Sequence, residues 1–150
     1  MEPQEHQHHQ PLQQAASSFL QKLLAELSDL NARLGGKHPE VADMLNIIGL
    51  CYHHLSTNQD KALQFHKEAL DILKLCMDFS SSQTEKASIS KNIAVTLTDI
   101  GNVHSKRGDI IEARASYDDA LCIFRDLKMS SEGNLMGSMM RGISRISDDW

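Results

Sequence analysis

Two stretches of the chain state one pattern twice: LNIIGLCYHHLSTNQDKALQFHKEALDI, from Leu45 to Ile72, and LTDIGNVHSKRGDIIEARASYDDALCI, from Leu97 to Ile123. Leu45, Ile48 and Gly49 return 52 residues later as Leu97, Ile100 and Gly101. Ala62, Ala69, Leu70 and Ile72 return 51 residues later as Ala113, Ala120, Leu121 and Ile123, which places a one-residue insertion in the first turn, between Ser56 and Asp60. A glycine inside a helix is about 1 kcal/mol less favourable than alanine, so its recurrence at one place implies a packing reason. The two alanines of each partner segment lie seven apart, two turns along one helical face. Glycine on one helix and alanines on the other let an antiparallel pair approach closely. Each unit therefore reads as a helical hairpin, with one face buried inside itself and the other against its neighbour. The residues expected to build the hairpins are Leu45, Gly49, Tyr52, Ala62 and Ala69, then Leu97, Gly101, Ala113, Tyr117 and Ala120.

Working outward, only helical periodicity is found. Leu20, Leu23, Leu27, Leu30 and Leu34 alternate steps of three and four, predicting a helix over 13–34 that Gly35-Gly36 closes. Pro39 suits the first turn of the next helix, with Glu40 at its positive end. That helix carries Val41, Met44, Leu45, Ile48, Cys51, Tyr52 and Leu55, and the polar run 56–60 breaks it. A helix from about 60 to 77 should bury Ala62, Leu63, Phe65, Ala69, Leu70, Ile72 and Leu73. After the serine loop 80–82, Ile89, Ile93, Leu97, Ile100 and Val103 mark a fourth helix, and Gly108-Asp109 turns the chain into a fifth over 110–127. Ala113, Tyr117, Ala120, Leu121 and Phe124 are its buried side. Leu135, Met139, Ile143 and Ile146 predict a last helix over 131–147. Residues 1–12, rich in glutamine and histidine, read as a disordered tail. The expectation is an all-α chain of about six helices, with one repeat domain over 13–147. Its first repeat spans about 39–77 and its second about 83–127. The helices 13–34 and 131–147 serve as the N- and C-terminal caps of an array shorter than the usual three units. The competing use of the leucine stripe is a coiled-coil homodimer, for which its roughly two heptads are short.

Composition narrows the class. Lysine plus arginine number 15 against 20 acids, a net charge of −5, without the basic footprint of a nucleic-acid binder. No apolar run approaches a membrane span of roughly 18–20 residues, and the N-terminus lacks the basic and apolar regions of a secretory signal. Three widely spaced cysteines, Cys51, Cys76 and Cys122, suit reduced thiols in a cytosolic or nuclear compartment better than a disulfide framework, and the cytoplasm is the expected location.

The pattern Leu-x-x-Ile-Gly-x-x-Tyr, a polar turn, then two alanines seven apart resembles the tetratricopeptide repeat. The run Gly36-Lys37-His38-Pro39-Glu40-Val41-Ala42 into Met44-Leu45-Asn46-Ile47-Ile48-Gly49 resembles more narrowly the repeat type of kinesin light chains. The second repeat departs from it: His104 stands in place of Tyr52, Ser90-Lys91 replace the His-Pro lead-in, and the connection before it is long. The resemblance implies an α-α superhelix whose first helices line a concave groove. By position it assigns to that groove Asp43, Asn46, Leu50, His53 and His54, then Val95, Thr98, Asn102, Ser105 and Lys106. These are mostly hydrogen-bonding groups suited to an extended peptide or a partner helix, with Asn46 and Asn102 able to donate and accept at once. Asn46 and Thr98 occupy places where a chaperone-type carboxylate clamp would want lysine, so that clamp is not expected.

Chemistry is hard to find. His6, His8 and His9 lie in the tail, His53 and His54 diverge by about 100° on a helix, and Cys51 with His54 gives only two ligands, so no metal is expected. No Gly-x-Ser-x-Gly elbow or phosphate loop is present, and Asp118-Asp119 and Asp148-Asp149 read as solvated pairs. Met136, Met139 and Met140 read as adaptable core, and self-docking of Trp150 after two aspartates is disfavoured. The sequence reads as a non-enzymatic adaptor or scaffold that needs no cofactor and binds a protein or peptide partner. A self-association module is the alternative.

Overall fold

Helix boundaries fall where the chain supplies caps. In the computed structural model, residues 10–55 and 58–127, together with Met140, are described. Five helices follow in order: α1 Gln10–Leu34, α2 Pro39–His54, α3 Gln59–Phe79, α4 Gln83–Arg107 and α5 Ile110–Asp126. Among the described residues there is no strand, so the chain is all-α. The sixth helix expected over 131–147 lies outside them, Met140 apart, as do the first nine residues of the expected tail. Residues 10–12, assigned to the tail from composition, form the first turn of α1 instead, where Pro11 loses no hydrogen bond.

Gly35, with a φ of +79°, closes α1 through its N–H to the Asn31 carbonyl at 3.0 Å. His38 caps α2 by accepting from the Glu40 N–H at Nδ1, with Pro39 in the first turn. Asn58 caps α3 and Ser82 caps α4 through their side-chain oxygens, to the N–H groups of Lys61 and Glu85. Gly108, at a φ of +84°, turns α4 into α5. Without a proline at the place equivalent to Pro39, α4 runs two turns further upstream and buries Ile89. What reads as a long connection is mostly helix.

α2 packs on α3 and α4 on α5 as two hairpins, α3 joins them by packing on α4, and α1 lies on α2. The larger core takes Leu45, Ile48, Ala69 and Leu73 from the first hairpin and Ile89, Ile93, Ile100 and Val103 from α4. A second cluster, Ala113, Tyr117, Ala120, Leu121 and Phe124, lies between α5 and Ala94. Leu97 and Ile123 pack against both. The stripe of α1 is the weak part of the prediction: Leu23 is buried, Leu20, Leu27 and Leu30 are half-buried, and Leu34 is exposed, because among the described residues α2 is the main cover of this helix. On α3, Phe65 is half-buried and stacks on Tyr52 at 5.6 Å, while His66 is fully buried.

Candidate functional site

The recurrent glycines mark where each hairpin is tightest. A Cβ on Gly49 would stand 2.8 Å from the His66 ring, and one on Gly101 would stand 2.6 Å from the Tyr117 ring. His66 and Tyr117 are 51 residues apart, the same offset as the alanine pairs, so one slot is filled by two kinds of ring. Close approach is as the sequence predicts, but each glycine meets a ring rather than an alanine. Ala62, Ala69, Ala113 and Ala120 are all fully buried nearby.

The two rings are held differently. The Tyr117 hydroxyl donates to Asn102 Oδ1 at 2.7 Å, inside its own hairpin. His66 belongs to a chain of bonds that crosses between hairpins. The Thr96 hydroxyl donates to the Asn92 carbonyl at 2.9 Å, so its oxygen accepts from Asn46 Nδ2 at 2.7 Å. That turns the Asn46 oxygen toward His66 Nδ1, 2.9 Å away, which must carry the proton. His66 Nε2 is then a bare acceptor, buried with no partner. Burial, with His53 as a second cationic group, holds the His66 imidazole down to about 4, so it is neutral.

A second bridge joins the hairpins at their turn end. Lys106 Nζ donates to the His53 carbonyl at 3.0 Å, and Gln59 accepts from His53 Nδ1 while donating to the same carbonyl. Beside it, Arg107 pairs with Asp60 and Asp109 at 3.1 Å each. Asp109 also accepts from His104 at 3.2 Å, which diverts it from capping α5. Burial is the main influence drawing His53 down, with Lys106 and His54 adding to it.

These bridges set which side chains remain for a ligand. Asn46 uses both ends of its amide internally, so the first of the two favoured residues is a joint. The carbonyl of Asn102 is taken by Tyr117. Thr98 is buried and its hydroxyl bonds its own helix at Ala94, which corrects its assignment to the groove. His53 is half-buried and tied to Gln59. Asp43, His54 and Lys106 are exposed, and Leu50, Val95 and Ser105 are half-buried. Burial and the neighbouring Glu40 push the Asp43 carboxyl up. Steps of three and four place Asp43, Ile47, Leu50 and His54 on one stripe of α2. Their equivalents Val95, Asp99, Asn102 and Lys106 form the matching stripe of α4.

Two of these residues escaped sequence reasoning. Ile47 is 45% exposed in the middle of α2. Asp99 is partly buried, and burial pushes its carboxyl up to about 7. The only available signal was their shared register with the residues named from the repeat. Burial also pushes the thiols of Cys51 and Cys76 up, away from a reactive thiolate. Among the described residues no helix is long and apolar enough to cross a membrane, and no three histidine, cysteine or acidic side chains gather as metal ligands. The chain matches no protein-family model and no curated protein.

Proposed function

We propose that the chain is a tetratricopeptide-like interaction module of the kinesin-light-chain repeat type, a non-enzymatic adaptor or scaffold working in the cytoplasm. Its ligand is a peptide or helical segment of another protein, laid along the matching stripes of α2 and α4. The observation that carries the reading is the exposure of Ile47 beside Leu50 on a helix whose other faces are fixed by neighbours. An apolar strip flanked by Asp43, His54 and Lys106 offers a docking line with polar ends. The repeated ring-on-glycine packing supports the reading because it holds both stripes on one rigid support. Asn46 does not test it, because both ends of its amide are engaged, and a change at Asn102 would also cost the bond from Tyr117. A photo-crosslinking residue at Ile47 should trap a recurrent partner, and the same residue at Gln64, on the exposed side of α3, should not. Equal trapping at both places would overturn the groove.

A second reading, self-association, is favoured by α1. Leu12 is 72% and Phe19 54% exposed. Beside them a groove of about 590 Å³ opens between Leu12, Ala16, Leu20, Tyr52 and Leu55. Light scattering across a concentration series, with Phe19→Asp as control, decides whether this face pairs copies of the chain.

A further inference from the structure

The described carboxylates mostly have partners or open water. Asp29 pairs with Arg33, Glu85 accepts from Ser80, and Asp109 takes both Arg107 and His104. Asp99 is the exception: it is partly buried, with only limited contact with water, and no hydrogen bond or ion pair reaches it among the described residues. Its place is defined by register. It stands three residues after Thr96 and seven before Lys106, the two α4 residues that bond α2, so it lies on the face of α4 turned toward α2. The α2 residues of those bridges, Asn46 and His53, bracket Leu50. Lys106 is two turns away, about 10 Å along the axis, and is held to the His53 carbonyl.

The hairpin does not require an acid there. The equivalent place in the first repeat, 52 residues earlier, is Ile47. A partly desolvated carboxylate with no donor opposes folding, whereas an isoleucine would not. A group that the packing does not need and that destabilises the free protein is explained by a ligand that satisfies it.

Resting on the docking face described above, we propose that Asp99 anchors a lysine or arginine side chain of the bound segment, whose neighbouring apolar residue sits on Ile47 and Leu50. The choice of occupant follows from charge complementarity: the carboxylate is partly buried on the face of α4 turned toward α2, and a long cationic side chain suits such a site. In that low-dielectric setting the pair forms a charge-assisted hydrogen bond, and its loss is felt as specificity as well as affinity. The raised proton affinity of Asp99 in the free chain is the same desolvation seen from the other side.

The test uses fluorescein-labelled peptide pools in which a fixed Arg, Gln or Glu stands between leucines and other positions are mixed. Binding to the full chain is read by anisotropy. The Arg pool should bind wild type about tenfold more tightly than the Gln pool, the scale of one charge-assisted contact. Asp99→Asn should bring the two pools within about twofold, and Asp99→Lys should favour the Glu pool. Asp99→Ile, which copies the first repeat, should bind without charge preference and melt no lower than wild type. An Arg preference that survives in Asp99→Asn overturns the proposal, and so does a wild type that treats Arg and Gln alike. Failure of every pool also rejects the anchor, and crosslinking at Ile47 then shows separately whether the docking face survives.

Discussion

The two hairpins solve one packing problem with different chemistry. In both, a glycine on the first helix admits a ring from the second to within about 2.8 Å of where a Cβ would lie. In the second hairpin the ring is tyrosine, and its hydroxyl closes on Asn102 next door. In the first it is histidine, which passes its hydrogen bond through Asn46 to Thr96 of the neighbouring hairpin and leaves one nitrogen bare. The hydroxyl bond of the tyrosine stays within its hairpin, whereas the bonds of the histidine run through the joint between hairpins. A repeat thus conserves the slot without conserving what the slot does.

Removing the rings should produce the largest effects and break the symmetry. Tyr117 is almost fully buried, so Tyr117→Ala should lose about 3–5 kcal/mol, the range for a buried aromatic cut to alanine. His66→Ala removes a smaller ring and also an unpaired buried nitrogen, so it should lose roughly 2 kcal/mol. Urea unfolding of both variants checks the ranking. Equal losses would mean that the Asn46 oxygen left without its donor offsets the relief of the bare nitrogen.

The next effect is electrostatic, and two groups pull in opposite directions. His66 titrates near 4 folded against 6.5 unfolded, so the unfolded chain binds more protons between those values. Its contribution is present above pH 6.5 and is lost as pH falls toward 4, about 3 kcal/mol in all. Asp99 titrates near 7 folded against 3.8 unfolded, so the folded chain binds more protons there. Its contribution is present below pH 3.8 and is lost as pH rises through 7. The size is at most about 4 kcal/mol, and less because the carboxyl keeps some contact with water. Measured as differences from wild type, which cancel all other groups, His66→Phe should isolate a term that rises from pH 4 to 6.5. Asp99→Asn should isolate one that falls from pH 4 to 7. A flat difference for His66→Phe would show that the imidazole is not held neutral inside.

What the sequence made legible was whatever repeats or caps: Gly49 and Gly101, the four alanines, Gly35, the His38-Pro39-Glu40 entry and the Gly108 turn all stand where their chemistry predicts. What it hid was direction. Asn46 and Thr98 share a periodic position, yet one bonds two neighbouring helices and the other its own backbone. Periodicity sorts residues onto faces without saying which neighbour a face meets. Hydrophobicity chose Phe65 over His66 for the interior of α3, and the missing Cβ of Gly49 reversed that choice by leaving a slot for a flat ring. Asp99 resembled any solvated helix charge until the α2–α4 bridges fixed its face.

The finest test of the comparison transplants one solution into the other site. His66→Tyr alone places a hydroxyl where the first repeat has Leu50 instead of the asparagine that receives Tyr117, and it strips Asn46 of its donor. It should therefore destabilise the chain by about 1–3 kcal/mol, as an overfilled site with an unpaired polar group. Adding Leu50→Asn restores the acceptor at the equivalent position, and the pair should recover about 1 kcal/mol beyond the sum of the single changes, the net worth of one hydrogen bond. Leu50→Asn alone exchanges a half-buried apolar side chain for an amide and should be mildly destabilising, so the recovery is visible only as coupling. A coupling of zero would mean that the tyrosine cannot reach residue 50. The two glycine slots would then match in spacing but differ in geometry, and the first hairpin's dependence on its neighbour would come from its backbone rather than from the choice of ring.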